Sequence, residues 1–303
     1  MNTIGASELA VALGYQRRKG DGEPYLSERE LWSRLTGRLD RYDTESSPDA
    51  EVGRMCEIAV GHEWAKRNGL RAGYDFIAGP PLDTAPYRHH GLDWLHAHPD
   101  LHRMSDGPMG ASPVELKAPR DLDPDRWGED GTDQFPIEYL IQVIAQVAVM
   151  RAPYGSLAAM ARSPQTDRVF AEYRWDLDEK LRDTVLHRGE EWYRKHVVGD
   201  VAPAPDGSAS ARWSLDREWK GRDATVWATP EVEETVHRLL QVEEAAHERE
   251  TRGVELKQHV MAAMKEATVL RGGRAGEILA TWREDKNGRR VFRLRRGKAW
   301  DRS

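Results

Sequence analysis

Apolar residues recur at helical spacing in the stretch before residue 67. Steps of three and four residues connect six of them, namely Val52, Met55, Cys56, Ala59, Val60 and Trp64. This spacing places the six side chains on one face of an α-helix. The pattern therefore predicts one long helix over residues 49–66, packed into the core, with Glu57 in its middle.

Two shorter helices are predicted nearer the N-terminus. Ser7 and Ser27 each stand ahead of an apolar run, and a serine hydroxyl there can accept a hydrogen bond from the first turn of a helix. We expect helices over residues 7–13 and 27–35, the first of them ended by Gly14.

Two more helices follow in the middle of the chain. An apolar run begins at Pro136 and ends at Met150, and proline is favoured in the first turn of a helix. Tyr139, Gln142 and Gln146 are its notable polar residues. Residues 178–196 form the other predicted helix.

Extended segments alternate with these helices. Short ones are predicted within residues 74–78 and 92–97, and residues 113–117 form the next strand. Residues 156–161 and 168–175 alternate between apolar and polar side chains around a turn, which is typical of a β-hairpin. The order of elements predicts an α/β fold in which a central mixed sheet is flanked by helices.

The composition changes around residue 202. Residues 202–210 are rich in Pro, Gly, Ala and Ser, as linkers are. We therefore predict a core over residues 1–201, a linker over 202–210 and an accessory region over 211–303. Charged helices within residues 230–267 and a hairpin within residues 277–295 make up this C-terminal appendage, and Asn287-Gly288 is a strong turn dipeptide.

Composition limits the kinds of site. At 303 residues, with 39% hydrophobic and 32% charged residues, the chain can bury a full core. It has no apolar run near the ~20 residues that cross a bilayer, so we expect a cytoplasmic protein with no membrane partner. The lone Cys56 cannot build a thiolate metal cluster, which leaves oxygen or His as metal ligands.

The residues with the clearest chemistry lie around residue 115. Glu115 and Lys117 are separated by one position, so on a strand they project from the same face about 7 Å apart. Asp100 ends an earlier extended segment and offers a second carboxylate. Carboxylates that converge suit Mg²⁺, which activates water for phosphodiester hydrolysis. Alone, however, a Glu-x-Lys pair is most often a surface ion pair.

The order of short motifs adds information that the pair lacks. The motifs are spread over residues 3–199 and are Ile4–Ser7, Leu31-Trp32, Thr36-Gly37, Gly53–Glu57, Trp94–Asp100, Glu115–Pro119 and Pro136–Gln142. Together they resemble the lambda exonuclease and YqaJ-like viral recombinase family of PD-(D/E)XK nucleases. The resemblance implies a restriction-endonuclease-like core and a phage-type exonuclease.

The resemblance also implies roles for single residues. Asp100, Glu115 and the helix-borne Glu57 correspond to metal-binding acids, with Mg²⁺ as cofactor and Mn²⁺ as a substitute. Lys117 corresponds to the cation that positions water, and Gln142 to a glutamine near the site.

Contacts with DNA or phosphate are predicted at three further residues, Ser7, Arg17 and Tyr139. Ser7 resembles a serine that meets the terminal phosphate, although a helix cap explains it equally well. The family often carries an Arg-containing segment ahead of this serine, which the present sequence lacks. Arg17 is a substitute candidate from the following loop, which can equally be a solvated basic loop. Tyr139 is expected to lie beside Gln142.

The predicted reaction is digestion of linear double-stranded DNA from its ends, 5′ to 3′, which generates single strands for recombination. The resemblance implies a ring-shaped trimer and a single-strand annealing protein as partner, in the cytoplasm of the host cell if a phage encodes the chain.

Three alternatives remain at this stage. The same acids and lysine would serve a structure-specific or restriction-like endonuclease. A DNA-binding recombination module without catalysis is the second alternative. The third is a transition-metal site formed by the five histidines near Asp100, which are His89, His90, His96, His98 and His102.

Overall fold

The structure is a computed structural model, and it describes residues 2–16, 22–40, 48–73, 75–78, 85–104, 110–162, 167–219, 225–272 and 276–295. The chain divides into two compact units, Met1–Gly221 and Arg222–Ser303. Within the described residues, no helix is both long enough and apolar enough to cross a membrane.

The first unit contains six α-helices in its described part. They are α1 (Ala6–Ala12), α2 (Glu28–Leu35), α3 (Pro48–Arg67), α4 (Ile137–Met150), α5 (Glu179–Trp192) and α6 (Ala209–Glu218). A π-helical segment, Tyr193–Val198, continues α5. The eight strands described here are β1 (Ile4–Gly5), β2 (Phe76–Ala78), β3 (Tyr87–Arg88), β4 (Leu95–Ala97), β5 (Leu101–Met104), β6 (Ala111–Lys117), β7 (Tyr154–Met160) and β8 (Phe170–Asp176).

A five-stranded mixed sheet lies at the centre of this unit. Its strand order is β2-β5-β6-β7-β8, with β6 parallel to β7 and the other neighbours antiparallel. The predicted central mixed sheet flanked by helices is thereby confirmed. The β7–β8 hairpin is present as predicted, while residues 163–166 of its turn lie outside the described residues.

The two faces of the sheet pack against different helices. Val114 and Leu116 pack with Val60 and Trp64 of α3, whereas α4 packs over Leu157 and other residues of the opposite face. Successive side chains of a strand alternate between faces. The residue between Val114 and Leu116 therefore points toward α4.

A small second sheet anchors the N-terminus. Its order is β1-β4-β3, and parallel pairing sets Ile4 beside Leu95 and Gly5 beside His96. This pairing brings α1 next to β4 and α4. The start of the chain is thereby placed beside the residues that precede Asp100.

The prediction that Ser7 caps the first helix is wrong. Gly5 is the N-cap, and its N–H donates to Oε2 of Glu8 at 2.7 Å. Pairing of β1 with β4 keeps Gly5 extended, so the helix begins one residue before Ser7. The Ser7 side chain is exposed and takes no part in the cap.

The long helix around Glu57 is confirmed, but only part of its apolar face is buried. Val60 and Trp64 are fully buried, whereas Val52 and Met55 are 44% and 60% exposed. Among the described side chains of α3, those in the hydrophobic cluster with the sheet are Val60, Trp64 and Ala65, which all lie in its C-terminal half. The helical spacing of apolar residues therefore predicted the helix correctly, but it wrongly predicted that Val52 and Met55 are buried.

The first compact unit extends past the predicted linker at residues 202–210. The hydroxyl of Ser210 accepts the backbone N–H of Ser27 at 2.8 Å, and Arg29 pairs with Glu218 at 2.9 Å. These contacts fasten α6 to α2, so the two units divide at Gly221 rather than at the proline-rich stretch. The assignment of a nuclease core to residues 1–201 stays a prediction.

The second unit combines one long helix with a small sheet. The helix α7 (Pro230–Met264) is followed by the strands β9 (Val269–Gly272), β10 (Glu277–Glu284) and β11 (Arg290–Leu294). All neighbours in the order β11-β10-β9 are antiparallel. The hairpin predicted at residues 285–288 is confirmed, and β9 is an addition that the sequence pattern did not reveal.

Candidate active site

Glu115 is a buried carboxylate that accepts hydrogen bonds from three side chains of the first unit. Only 2% of its side chain is exposed, on the α4 side of β6. Its Oε1 accepts from Nε2 of Gln142 at 2.6 Å, and its Oε2 accepts from Nε2 of Gln146 at 2.5 Å. Nζ of Lys117 also donates to Oε1. A buried charge persists only with such partners, since burial without them costs several kcal/mol.

Lys117 lies on the same side of the strand as Glu115. Its side chain is 12% exposed, so the ammonium reaches the edge of the site. The ring centroid of Tyr139 is 5.5 Å from Nζ, within the range of a cation–π contact. Tyr139 also packs against Trp127, with ring centroids 5.7 Å apart. The ammonium of Lys117 thus lies between the Glu115 carboxylate and the Tyr139 ring of α4.

Asp100 approaches the same strand from the turn between β4 and β5. Its Oδ2 accepts the backbone N–H of Leu116 at 2.7 Å, between Glu115 and Lys117 in the sequence of β6. Burial and the charge of Glu115 raise the pKa of Asp100 from 3.8 to about 8, despite the opposing effects of Lys117 and of the Leu116 hydrogen bond. Two acids therefore share one small, poorly solvated volume.

Glu57 adds a third acid to this group. It lies on α3 and is half-buried, and its charge is a further cause of the raised pKa of Asp100. Three carboxylates from α3, the β4–β5 turn and β6 are thus close enough to repel one another electrostatically.

The chemistry of these groups fits a hard divalent cation. Magnesium prefers a few carboxylate oxygens, with water and substrate phosphate completing its coordination. The described residues contain no preformed cluster of three or more His, Cys, Asp and Glu side chains in metal-binding geometry. Because both oxygens of Glu115 already accept hydrogen bonds, a cation would have to compete with Lys117 or a glutamine for them.

The predicted residue Ser7 lies at a cavity that adjoins this group. The cavity has a volume of about 100 Å³ and is lined by both Ser7 and Gln142. Gln142 therefore borders the cavity and holds Glu115. Glu138 and Tyr25 also line it. The structure thus brings Ser7 and Gln142 together, whereas Arg17 lies outside the described residues.

Gln146 is a member of the group that was noted as a polar position but not predicted as a site residue. It is fully buried and holds the second oxygen of Glu115. The signal was its spacing, because Gln142 and Gln146 are four residues apart and share a face of an otherwise apolar helix.

The histidines predicted as an alternative metal site are distributed among different surroundings. The rings of His96 and His98 are perpendicular, 5.9 Å apart, and His102 packs against Tyr87. His89 and His90 line a separate cavity with residues of α5. In the part of the chain that the structure describes, these histidines do not converge on one point.

Sequence comparison relates this chain to a known family. A family model described as the YqaJ-like viral recombinase domain matches residues 1–154. The chain is also similar to the uncharacterized protein YqaJ of Bacillus subtilis (strain 168). The two are 24% identical over 282 residues, which cover 92% of this chain and 80% of that protein.

Two solved structures are similar in fold. One is LHK-Exo in complex with dAMP, with a TM-score of 0.48 and 14% identity over 65% of this chain and 89% of that chain. The other is the alkaline exonuclease LHK-Exo from Laribacter hongkongensis, with a TM-score of 0.45 and 16% identity over the same shares.

Proposed function

The chain belongs to the YqaJ-like viral recombinase domain family, and from this premise we propose that it is a metal-dependent exonuclease of linear double-stranded DNA. The observation that carries the proposal is that Asp100 meets Glu115 and Lys117 at β6, with Glu57 of α3 close enough to raise the pKa of Asp100 further. Phosphodiester hydrolysis needs an activated water and stabilisation of the charge that develops on phosphorus. An acid and a cation on one rigid strand, with a second acid hydrogen-bonded to that strand, can provide both.

The proposed cofactor is Mg²⁺, with Mn²⁺ as a substitute. Asp100, Glu115 and Glu57 would hold it, and when bound it would supply a nucleophilic water and screen the phosphate charge. Burial, and after it the charges of Glu115 and Glu57, raise the pKa of Asp100, and a bound cation would offset both effects. The donor set is therefore matched to a positive ion of high charge density.

Lys117 and the two glutamines would orient the reacting groups. The Lys117 ammonium would position the attacking water and stabilise negative charge on the phosphate oxygens. Gln142 and Gln146 would fix the plane of the Glu115 carboxylate, because each donates to a different oxygen. Holding the reacting groups in one geometry lowers the barrier to reaction.

Recognition of the DNA end is proposed for the cavity beside this group. Ser7 is exposed there, next to Gln142, and its hydroxyl would donate to the terminal phosphate. Tyr139 would border the path of the strand, and Arg17 is the proposed basic contact from the loop after α1. The proposed direction of digestion, 5′ to 3′ with single strands left for recombination, is carried over from the family resemblance.

The proposed assembly is a ring-shaped trimer through which DNA threads, working with a single-strand annealing protein. Sedimentation equilibrium would test the first part, with the mass of three chains as the expected result.

The deciding experiment is digestion of linear and closed circular duplex DNA with Mg²⁺, with EDTA, and with the variant Lys117→Ala. We expect loss of linear DNA alone, a fall of at least about a hundredfold for the variant, and faster digestion of 5′-phosphorylated ends. The control is Lys66→Ala, which removes a lysine that is 80% exposed on α3 and should leave the rate unchanged.

Each other result has a definite meaning. Cutting of closed circles would favour the endonuclease alternative, which uses the same residues. Duplex binding without metal-dependent cutting under any condition would favour the DNA-binding recombination module and overturn the nuclease proposal.

A further inference from the structure

The second unit separates its charges between its helix and its sheet. Eight glutamates and four basic residues lie on α7. Around β9, β10 and β11 the balance reverses, and the described residues there include only three acids, Glu277, Glu284 and Asp285. The same described segments contain seven basic residues, Arg271, Arg283, Lys286, Arg289, Arg290, Arg293 and Arg295.

One face of this sheet is occupied by contacts within the unit. The guanidinium of Arg290 stacks over Trp282 at 3.7 Å and donates to the carbonyl oxygens of Lys265 and Ala267, each at 2.8 Å. Arg290 therefore fastens β11 to the chain that follows α7. Trp282 and Phe292 are paired across the strands on this same face.

The opposite face presents arginines to solvent. Pairing sets Thr281 opposite Arg293 and Arg283 opposite Val291, and side chains two positions apart share a face of a strand. Arg283 and Arg293 thus lie diagonally across from each other, and both are exposed. We name the face formed by Thr281, Arg283, Val291 and Arg293 the basic sheet face.

The arginines of this face differ from those of α7 in their ion pairing. Arg238 pairs with Glu234 at 2.5 Å and Arg252 with Glu255 at 2.9 Å on α7. Among the described residues, no carboxylate lies within ion-pair distance of Arg283 or Arg293. Two exposed, diagonal guanidinium groups without a neighbouring carboxylate form a locally positive surface, and a polyanion is the partner that this surface fits.

We propose that the basic sheet face binds the sugar-phosphate backbone of duplex DNA, independently of DNA ends. Arginine donates in a planar fork that matches phosphate oxygens, and a threonine hydroxyl is a common phosphate donor. This inference rests on the proposed function for its choice of DNA as the anion. The face gives the enzyme a second, sequence-independent contact with its substrate.

The test is binding of a fluorescent duplex in EDTA, so that no cutting occurs, measured by anisotropy over a range of salt concentrations. We expect Arg283→Gln with Arg293→Gln to weaken binding about tenfold at low salt. The slope of log affinity against log salt should fall by about two, since each phosphate contact contributes roughly 0.9. Unlabelled closed circular DNA should compete as well as linear DNA of equal mass.

The matched control is Arg238→Gln with Arg252→Gln, which removes the same charge from the same unit. Its slope should equal that of the wild type, and Arg283→Lys with Arg293→Lys should retain most of the slope. Equal slopes for the two Gln pairs would overturn the proposal, as would a change in the protein's mass without a change in slope, which would assign the face to self-association.

The binding assay also separates this proposal from the nuclease proposal. A reduced slope in a protein that never cuts DNA would support the basic sheet face and overturn the enzyme, whereas an unchanged slope in an active enzyme would do the reverse. Circular dichroism of each variant establishes that the sheet is still folded.

Discussion

At the scale of single residues, the site joins groups whose charges work against folding. Asp100 shares its surroundings with Glu115 and Glu57, and one lysine compensates for them. In the folded protein the pKa of Asp100 is about 8, against 3.8 for an ordinary aspartate. Between these two pH values the folded chain must bind a proton that the unfolded chain lacks. Stability in the absence of metal therefore falls as the pH rises from about 4 to about 8, and the loss levels off above 8.

Asp100→Asn should accordingly stabilise the metal-free protein while abolishing DNA digestion. One pKa unit corresponds to roughly 1.4 kcal/mol, so we expect a gain on the order of a few kcal/mol at pH 8 that shrinks toward pH 4. Thermal melts in EDTA across this range measure the gain, with the exposed Asp93→Asn as the control. A gain that is equal at pH 5 and pH 8 would contradict the charge-based explanation.

The sequence predicted part of this site because the pattern of β6 is local. Alternation along a strand requires Glu115 and Lys117 to share a face, and the structure places them together. Gln146 escaped prediction because a glutamine on a helix gains meaning only from what lies opposite. The cap role of Ser7 failed for the same reason, since the β1–β4 pairing that moves the helix start is a contact between distant residues.

At the scale of elements, the approach of α4 to β7 fixes the distance between the helix and the sheet. Gly155 lies at this contact, where a Cβ atom would come within 2.5 Å of Val143 and 2.8 Å of Val147. The sequence does not reveal this close approach, because it identifies strands and helices but not how closely they pack. The same limit explains why Val52 and Met55 of α3 were predicted to be buried although they are exposed.

Gly155→Ala should therefore destabilise the first unit by about 2 kcal/mol, as overpacking of a core does. The matched control is Gly53→Ala, because a Cβ atom at Gly53 meets nothing within 4 Å, and alanine in a helix should add up to about 1 kcal/mol. Urea unfolding measures both changes. Equal stability for the two variants would show that α4 yields easily, contrary to the tight packing described above.

At the scale of the whole molecule, the two units have cores of very different size. Most of the buried apolar residues belong to the first unit, while Met264 and Ala280 are those of the second among the described residues. A proline- and glycine-rich stretch indicated a division near residues 202–210. The contacts between α6 and α2 place the division after α6 instead. The sequence pattern could not reveal these contacts, because they join side chains that are about 180 residues apart.

We expect the two units to unfold in separate steps, the second unit first. Met264→Ala should lower the first transition alone, because it removes a buried side chain that is 4% exposed from the smaller core, at a cost of about 2–5 kcal/mol. Met150→Ala, in the first unit, should lower the second transition. Differential scanning calorimetry would resolve the steps, and a single transition shifted by both variants would contradict the expectation.

The alternation along β6 has a consequence for how the sheet finds its alignment. Val114 and Leu116 fill the α3 side, and Glu115 meets its glutamines on the α4 side. A slip of one residue would exchange these sides, forcing the carboxylate into an apolar layer and a valine against two amide groups. Such a misaligned sheet would cost several kcal/mol at one position alone. Glu115, which we propose for catalysis, therefore also specifies the register of β6. A sheet that folds in the correct register places the site residues correctly as well.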